Sequence, residues 1–162
     1  MEQFNFDETD YPAIKQIYLD GIATGQATFQ TDAPSWEDWD SSHCKHSRIA
    51  LKENDVIAGW AALTRVSNRC VYAGVAEVSV YVNENYRGKG IGSILLQALI
   101  DDSEANGIWT LQAGIFPENE ASINLHKKLG FRIMGVREKI GQMNGVWRDT
   151  AFMERRSKKV GV

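Results

Sequence analysis

The chain is predicted to fold as one mixed α/β sandwich, because its signals run in the order strand, helices, three-strand meander, helix, strand, helix, strand, strand. Three observations carry this reading. Apolar residues recur at helical spacing in separate stretches, most clearly at Ile91, Ile94, Leu95, Ala98, Leu99 and Ala105. Strand-like runs such as Val56 to Thr64 and Tyr72 to Val82 lie between them. Glu53-Asn54-Asp55 and Asn144-Gly145 are hairpin signals that join neighbouring runs. No repeat or low-complexity segment divides the chain, so residues 1–156 are taken as a single domain and 157–162 as a C-terminal tail.

Taken in order, Gln3 to Phe6 suits a short first strand, and Thr9 or Asp10 caps a helix with Pro12 in its first turn. Ile14, Ile17, Tyr18 and Ile22 give that helix one apolar face, and it is expected to end near Thr24-Gly25. Ala27 to Pro34 reads as a loop, and Ser35 opens a second short helix at Trp36. His43, Cys44 and His46 follow, too few for a structural metal site, and read as a solvated helix end. Arg48 to Lys52 and Val56 to Thr64 are paired strands. In the run Tyr72 to Val82, alternation sets Glu77, Ser79 and Tyr81 on one face and Val78, Val80 and Val82 on the other. A carboxylate in a central strand is unusual. Gly107 closes the next helix, Trp109 to Phe116 is a buried strand, and Asn119 caps a helix ended by Gly130. Phe131 to Met143 and Val146 to Glu154 form the last hairpin, and Arg155, Arg156, Lys158 and Lys159 read as a solvated charged end.

Composition narrows the function classes. A chain of 162 residues buries about 70% of its unfolded surface and needs no metal or disulfide to fold. The hydrophobic share of 43% and charged share of 24% are those of a soluble globular protein, which disfavours membrane spanning. A net charge of −3 lacks the broad basic footprint of a nucleic-acid binder. Cys44 and Cys70 form no close-spaced motif, and the acidic N-terminus is unlike a signal peptide, so a cytoplasmic protein with reduced thiols is expected.

The chemistry concentrates in Arg87-Gly88-Lys89-Gly90-Ile91-Gly92, between a strand-like run and a helix. Glycines let backbone come close to a ligand, and the first amides of a helix have no partner within it, so the stretch suits an anion. A plain tight connection uses the same residues, and at this point both readings stand. Neither the phosphate loop of nucleotide triphosphatases nor the dinucleotide fingerprint is present.

Two motifs together resolve this. Arg87-Gly88-Lys89-Gly90-Ile91-Gly92 resembles the Arg/Gln-x-x-Gly-x-Gly/Ala pyrophosphate loop of the GNAT N-acetyltransferase superfamily, and Asn119-x-x-Ser122-x-x-Leu125-His126-x-x-x-Gly130-Phe131 resembles its companion motif. Within the superfamily the chain is similar to the phosphinothricin, methionine sulfone and methionine sulfoximine acetyltransferases through four segments. These are Ile17-Tyr18 with Ala27-Thr28-Phe29; Glu77 to Val82; Leu125-His126 before Leu129-Gly130-Phe131; and Asn144 to Asp149. Tyr72 fits the group's Tyr-x-x-Thr-x-Glu, with Val75 replacing the threonine.

The resemblance implies a central, mostly antiparallel sheet flanked by helices, acetyl-CoA as cosubstrate without a metal, a small amine acceptor and a homodimer. It also implies Glu77 as general base and His126 in proton transfer. A backbone amide of the Val78 to Val82 strand, that of Val80, freed by a bulge, meets the thioester oxygen, and Val82 is a further cofactor-binding residue. Arg87, Gly88, Lys89, Gly90, Ile91 and Gly92 hold the pyrophosphate. Asn119 and Ser122 hold the pantetheine end, although both also fit a helix cap and a helix surface. Phe29, Tyr72 and Val75 are candidates for the acceptor pocket, and each fits a core position equally. Trp36, Trp39 and Trp147 suggest an enclosed acceptor site. A GNAT enzyme acting on another amine or a protein N-terminus, and a non-catalytic acyl-CoA sensor, are the alternatives; the presence of both Glu77 and His126 counts against the sensor.

Overall fold

Residues 1–162 are described by a computed structural model. The elements are β1 (Glu2–Asn5), α1 (Tyr11–Ala23), α2 (Trp36–Ser42), β2 (Ile49–Glu53), β3 (Val56–Arg65), β4 (Val75–Val82), α3 (Ile91–Ala105), β5 (Thr110–Ile115), α4 (Glu120–Lys128), β6 (Arg132–Met143) and β7 (Val146–Arg156). The strands form one seven-stranded sheet in the order β1-β2-β3-β4-β5-β7-β6. Every neighbouring pair is antiparallel except β4 with β5. Asn54 and Asp55, and Asn144 with Gly145, all adopt positive φ, the geometry of two-residue hairpin turns whose twist matches the strands they join.

Two cores lie on opposite faces of the sheet. One packs α3, through Leu95, Leu96, Leu99 and Ile100, onto Ala61, Leu63, Leu111 and Met153. The other packs Ile14 and Ile17 of α1 and Trp39 of α2 onto Phe6, Trp60 and Ala62. Full burial of each Leu or Ile stabilises the fold by about 1.5–3 kcal/mol. Gly59 lets α3 sit close to the sheet, since a Cβ there would lie 2.8 Å from both Leu95 Cδ1 and the Tyr81 carbonyl.

The structure corrects several local expectations. The cap before α1 is Asp7, whose carboxylate accepts from Thr9 N and Thr9 Oγ1, while Asp10 reaches back to the Asp7 amide. A short 3-10 turn at Glu8–Asp10 therefore precedes the helix. The segment after α2 is packed rather than solvated. His43 stacks on Trp39 with ring centroids 3.9 Å apart, and Cys44 is buried. No cluster of three or more His, Cys, Asp or Glu side chains gathers there or elsewhere. No helix is long and apolar enough to cross a membrane.

Strand β4 begins at Val75, because Gly74 turns the chain and its carbonyl accepts from both Trp109 N and Thr110 N. Tyr72 consequently lies in a separate 3-10 turn, Cys70–Tyr72. The basic end is tied down as well. Strand β7 runs on to Arg156, Arg155 pairs with Glu104 at 3.6 Å, and buried Ser157 donates to the same carboxylate at 2.6 Å.

Candidate active site

The parallel pairing of β4 with β5 lasts only from Val75–Thr110 to Glu77–Gln112. Beyond that point the strands part, while β5 stays paired with β7 as far as Ile115. A cleft of about 800 Å³ opens along the parting, lined by Glu77 to Val82 of β4 and by His126, Ser122 and Asn119 of the α4 region.

The register of β4 decides which of its amides face this gap. Strand β4 runs against β3 from Val82–Gly59 to Ala76–Arg65 without a shift, and the ladder continues as the bond from Asn83 N to Ala58 O, 2.8 Å. Hydrogen-bonded pairs alternate in an antiparallel ladder, so Tyr81 and Ser79 turn their N–H groups to β3. Val80 and Val82 turn theirs to the gap. The bulge implied by the resemblance is absent; the departure of β5, rather than a kink in β4, frees these donors.

The glycine loop stands at one end of the cleft, with Gly92 in its wall. Gly88 and Gly90 have φ of +76 and +77, and an added Cβ at either would meet nothing within 4 Å. The amides of Gly88, Lys89, Gly90, Ile91, Gly92 and Ser93 donate to no backbone or side-chain acceptor; the first amide of this turn that does is Ile94, to Gly90 O. Open, unpaired amides at the start of a fifteen-residue helix have the arrangement that can receive an anion. Arg87, Gly88, Lys89 and Gly90 are exposed, Gly92 is half-buried, and Lys89 lies 4.9 Å from the Tyr86 ring centroid. Ile91 is buried and anchors the turn in the core. Gly92 lets α3 approach α4, since its Cβ would lie 3.2 Å from Leu125 Cδ2.

Glu77 stands on the face of β4 that looks toward α1. Solvent reaches it through the cleft, yet the surrounding protein raises its pKa by desolvation, and nearby Arg137 partly offsets that rise. It forms no ion pair within 4 Å. His126 is buried on α4 with its ring edge-on to Phe131 at 5.0 Å. Its Nδ1 lies 2.7 Å from the Ser122 carbonyl. A carbonyl only accepts, so Nδ1 carries the proton and Nε2 keeps a free lone pair. Burial lowers the pKa of this ring, which favours its neutral form near pH 7. Asn119 caps α4, its Oδ1 accepting from Ser122 N at 3.2 Å.

Of the acceptor-side candidates, Phe29 lines the cleft, packed edge-on against Phe116 at 4.9 Å. Tyr72 and Val75 do not. Tyr72 is exposed beneath Arg69, and Val75 is buried at the start of β4. Trp36 and Trp39 stack on each other in the core and Trp147 projects from the last hairpin, so none of them encloses the site. The enclosing aromatic side chains are instead Phe29, Phe116 and Phe152, with Tyr18 edge-on to Tyr81 at 4.9 Å. Burial raises the pKa of both phenols, keeping them protonated as hydroxyl donors.

Arg148 holds this wall together. Its guanidinium donates to Gly25 O at 2.6 Å and Gln26 Oε1 at 3.1 Å and lies 3.6 Å from the Phe116 ring centroid. Arg137 is a further cleft residue, invisible to motif reasoning because the pairing of β6 with β7, opposite Thr150, brings it there. Two aromatics of the lining from distant segments, Phe116 and Phe152, likewise carried no spacing signal.

The residues fit an acyl-coenzyme A: unpaired loop amides suit a pyrophosphate, and strand amides facing an open parting suit an extended amide-bearing arm. A splayed mixed sheet with these two sets of free amides and a carboxylate across the strand defines an acyl-CoA-dependent acyltransferase. The chain belongs to the acetyltransferase (GNAT) family, whose model matches residues 11–131. It is similar to an L-methionine sulfoximine/L-methionine sulfone acetyltransferase of Pseudomonas paraeruginosa, 34% identical over 151 residues, covering 90% of this chain and 88% of the relative. A phosphinothricin N-acetyltransferase of Streptomyces coelicolor is 31% identical, with 91% of each chain covered. Among solved structures, a GNAT phosphinothricin acetyltransferase from Sinorhizobium meliloti in complex with acetyl-CoA superposes with a TM-score of 0.87 at 29% identity, covering 99% of this chain and 90% of that one.

Proposed function

We propose that this protein transfers the acetyl group of acetyl-CoA to the amino group of a small amino acid-like acceptor, of the phosphinothricin, methionine sulfoximine or methionine sulfone type. The observation that carries the reading is one cleft in which Glu77 lies on one face of β4, while the Val80 and Val82 amides and the loop amides are left free. The names of the relatives support the acceptor class.

Acetyl-CoA supplies an activated thioester; the chain supplies position, charge and proton transfer. An amine acceptor arrives mostly as its ammonium form, and Glu77 takes its proton. The raised pKa brings this carboxylate closer to neutrality, where a base is most effective, and such catalysis contributes typically ~10²–10⁴-fold. The Val80 N–H faces the charge that develops on the carbonyl oxygen, a donor worth about 2.7–4 kcal/mol. His126 enters as a neutral ring whose free Nε2 accepts the proton that the nitrogen sheds as the C–N bond forms; the C–S bond breaks and coenzyme A leaves as its thiolate, which takes a proton from water.

The test is free-thiol release from acetyl-CoA across methionine sulfone, methionine sulfoximine, phosphinothricin and short peptides, with Glu77→Gln and His126→Ala beside the parent. Turnover of the small acceptors with a ~10²–10⁴-fold loss in Glu77→Gln is expected. Undiminished turnover in Glu77→Gln would remove the assigned base. Turnover confined to peptides would overturn the acceptor class, and acetyl-CoA binding with no turnover would overturn the enzyme reading.

The same reading includes a homodimer in the cytoplasm. Ile133, Met134, Val136, Ile140, Val146 and Trp147 are exposed along edge strand β6 and its hairpin, a surface suited to a second copy. Both cysteines are free thiols, as in a reducing compartment. A monomeric mass by sedimentation at micromolar concentration would refute the dimer.

A further inference from the structure

We infer that Arg137 binds the carboxylate of the acceptor and so makes the enzyme select α-amino acids over simple amines; this rests on the acetyltransfer reading above. Arg137 is placed by its register at the last regular pair before a break in the sheet: it lies opposite Thr150, which lines the cleft with Phe152. The β6–β7 ladder shifts between Arg137–Thr150 and Gly141–Arg148, so the three residues 138–140 oppose the single Asp149. The extra length is held by Lys139, whose φ is +46 and whose amide donates to Asp149 Oδ1 at 2.7 Å. Such bulges re-aim side chains. Here Ile140, within the break, joins Arg137 in the lining of the cleft.

The guanidinium is available for a ligand. Arg48, Arg148 and Arg155 are bonded to carbonyls and carboxylates of the fold. Arg137 makes no side-chain hydrogen bond and no ion pair, including none with Glu77. Its Cζ instead lies 4.1 Å from the centroid of the Phe152 ring, which restrains the group by a cation–π contact and leaves its N–H fork free. A planar fork of this kind matches a carboxylate by two parallel hydrogen bonds.

The charges across the cleft are complementary to a zwitterion. Glu77 is near enough to Arg137 to feel its charge, but the two do not meet within 4 Å. An α-amino acid carries its ammonium and carboxylate on one carbon and satisfies both, with its amine at Glu77 and its carboxylate at Arg137. Its side chain then faces Phe29, Phe116 and Ile140, a largely apolar wall that accepts an uncharged substituent.

The experiment compares three acceptors: L-methionine sulfone, its carboxamide, and 3-(methylsulfonyl)propylamine, which lacks the carboxylate. Each is assayed with the parent, Arg137→Ala and Arg137→Lys, and the variant-to-parent ratio of kcat/KM is taken for each acceptor so that differences in amine basicity cancel. Arg137→Ala is expected to lower kcat/KM for methionine sulfone by about 10- to 100-fold, the range for charge-assisted hydrogen bonds, chiefly through KM. At a pH above the acid limb of both enzymes, it should leave the propylamine and the KM for acetyl-CoA unchanged. Arg137→Lys, which keeps the charge and loses the fork, should fall between. Equal losses on all three acceptors, or no loss on methionine sulfone, would overturn the role of Arg137 while the acetyltransfer reading stands. A parent without activity on any of the three overturns both.

Discussion

Replacing Gly90 by alanine isolates what the glycine loop does. Gly90 has φ of +77, and an added Cβ meets no atom within 4 Å, so the methyl group itself fits and only the left-handed backbone is costly. That cost is ~1–2 kcal/mol. The stiffer unfolded chain offsets about 0.4–1 kcal/mol of it. The net loss of about 1 kcal/mol lowers Tm by about 2–4 °C for a chain of this size. Gly107 is the matched control, with φ of +81 and equally empty surroundings, but at the far end of α3. Gly107→Ala should lower Tm by the same amount. Only Gly90→Ala also disturbs unpaired amides, and loss of one charge-assisted bond to a phosphate raises KM for acetyl-CoA by about 10- to 100-fold. Initial rates of thiol release against acetyl-CoA at saturating acceptor, beside thermal melts of both variants, give the two readouts. Equal losses of Tm with a parental KM in Gly90→Ala would refute the cradle.

Other consequences follow from the same geometry. The acid limb of kcat/KM should lie above the usual carboxylate range, because desolvation raises the pKa of Glu77, and Arg137→Ala should move it higher still by removing an opposing cation. His43 and His126 have pKa values lowered from 6.5 by burial. Their contribution to stability is complete above pH 6.5 and is lost as pH falls from there toward the folded-state values. Melting temperatures should therefore drop below pH 6.5, less steeply in His43→Phe; a flat profile would contradict the buried neutral rings. In Gly141→Ala the new Cβ would lie 2.9 Å from Phe29 Cζ, so the ring must swing. A change of about 2- to 10-fold in acceptor KM is expected, with KM for acetyl-CoA unchanged.

Local signals read well wherever one segment carries its own instructions. The hairpins at Asn54 and Asn144, the caps at Ser35 and Asn119, and the glycine loop before α3 depend on neighbours a few residues away, and each is present in the structure. The first cap and the start of β4 failed for a related reason. Several residues there compete for the same role, and the choice went to Asp7 and Gly74 through bonds that spacing does not rank.

The sequence by itself determined the α/β class and the glycine turn that opens α3, because each rests on short-range periodicity or an adjacent motif, whereas the roles expected of Glu77 and His126 came with the family resemblance. It also located the acyltransferase family through two motifs, which the family match over residues 11–131 supports. Only the tertiary structure decided how the amides and the acceptor wall are arranged. Val80 and Val82 owe their free N–H groups to the parting of β5 from β4, a relation between strands some thirty residues apart rather than a bulge within one. Phe29, Phe116, Phe152 and Arg137 line one cleft with Glu77 because the segments after α1 and β5 and the strands β7 and β6 converge there. Tyr72 and Val75, nearer to Glu77 in sequence, lie outside the cleft, because Tyr72 belongs to a separate 3-10 turn before Gly74 and Val75, though on the same strand face as Glu77, is buried at the start of β4.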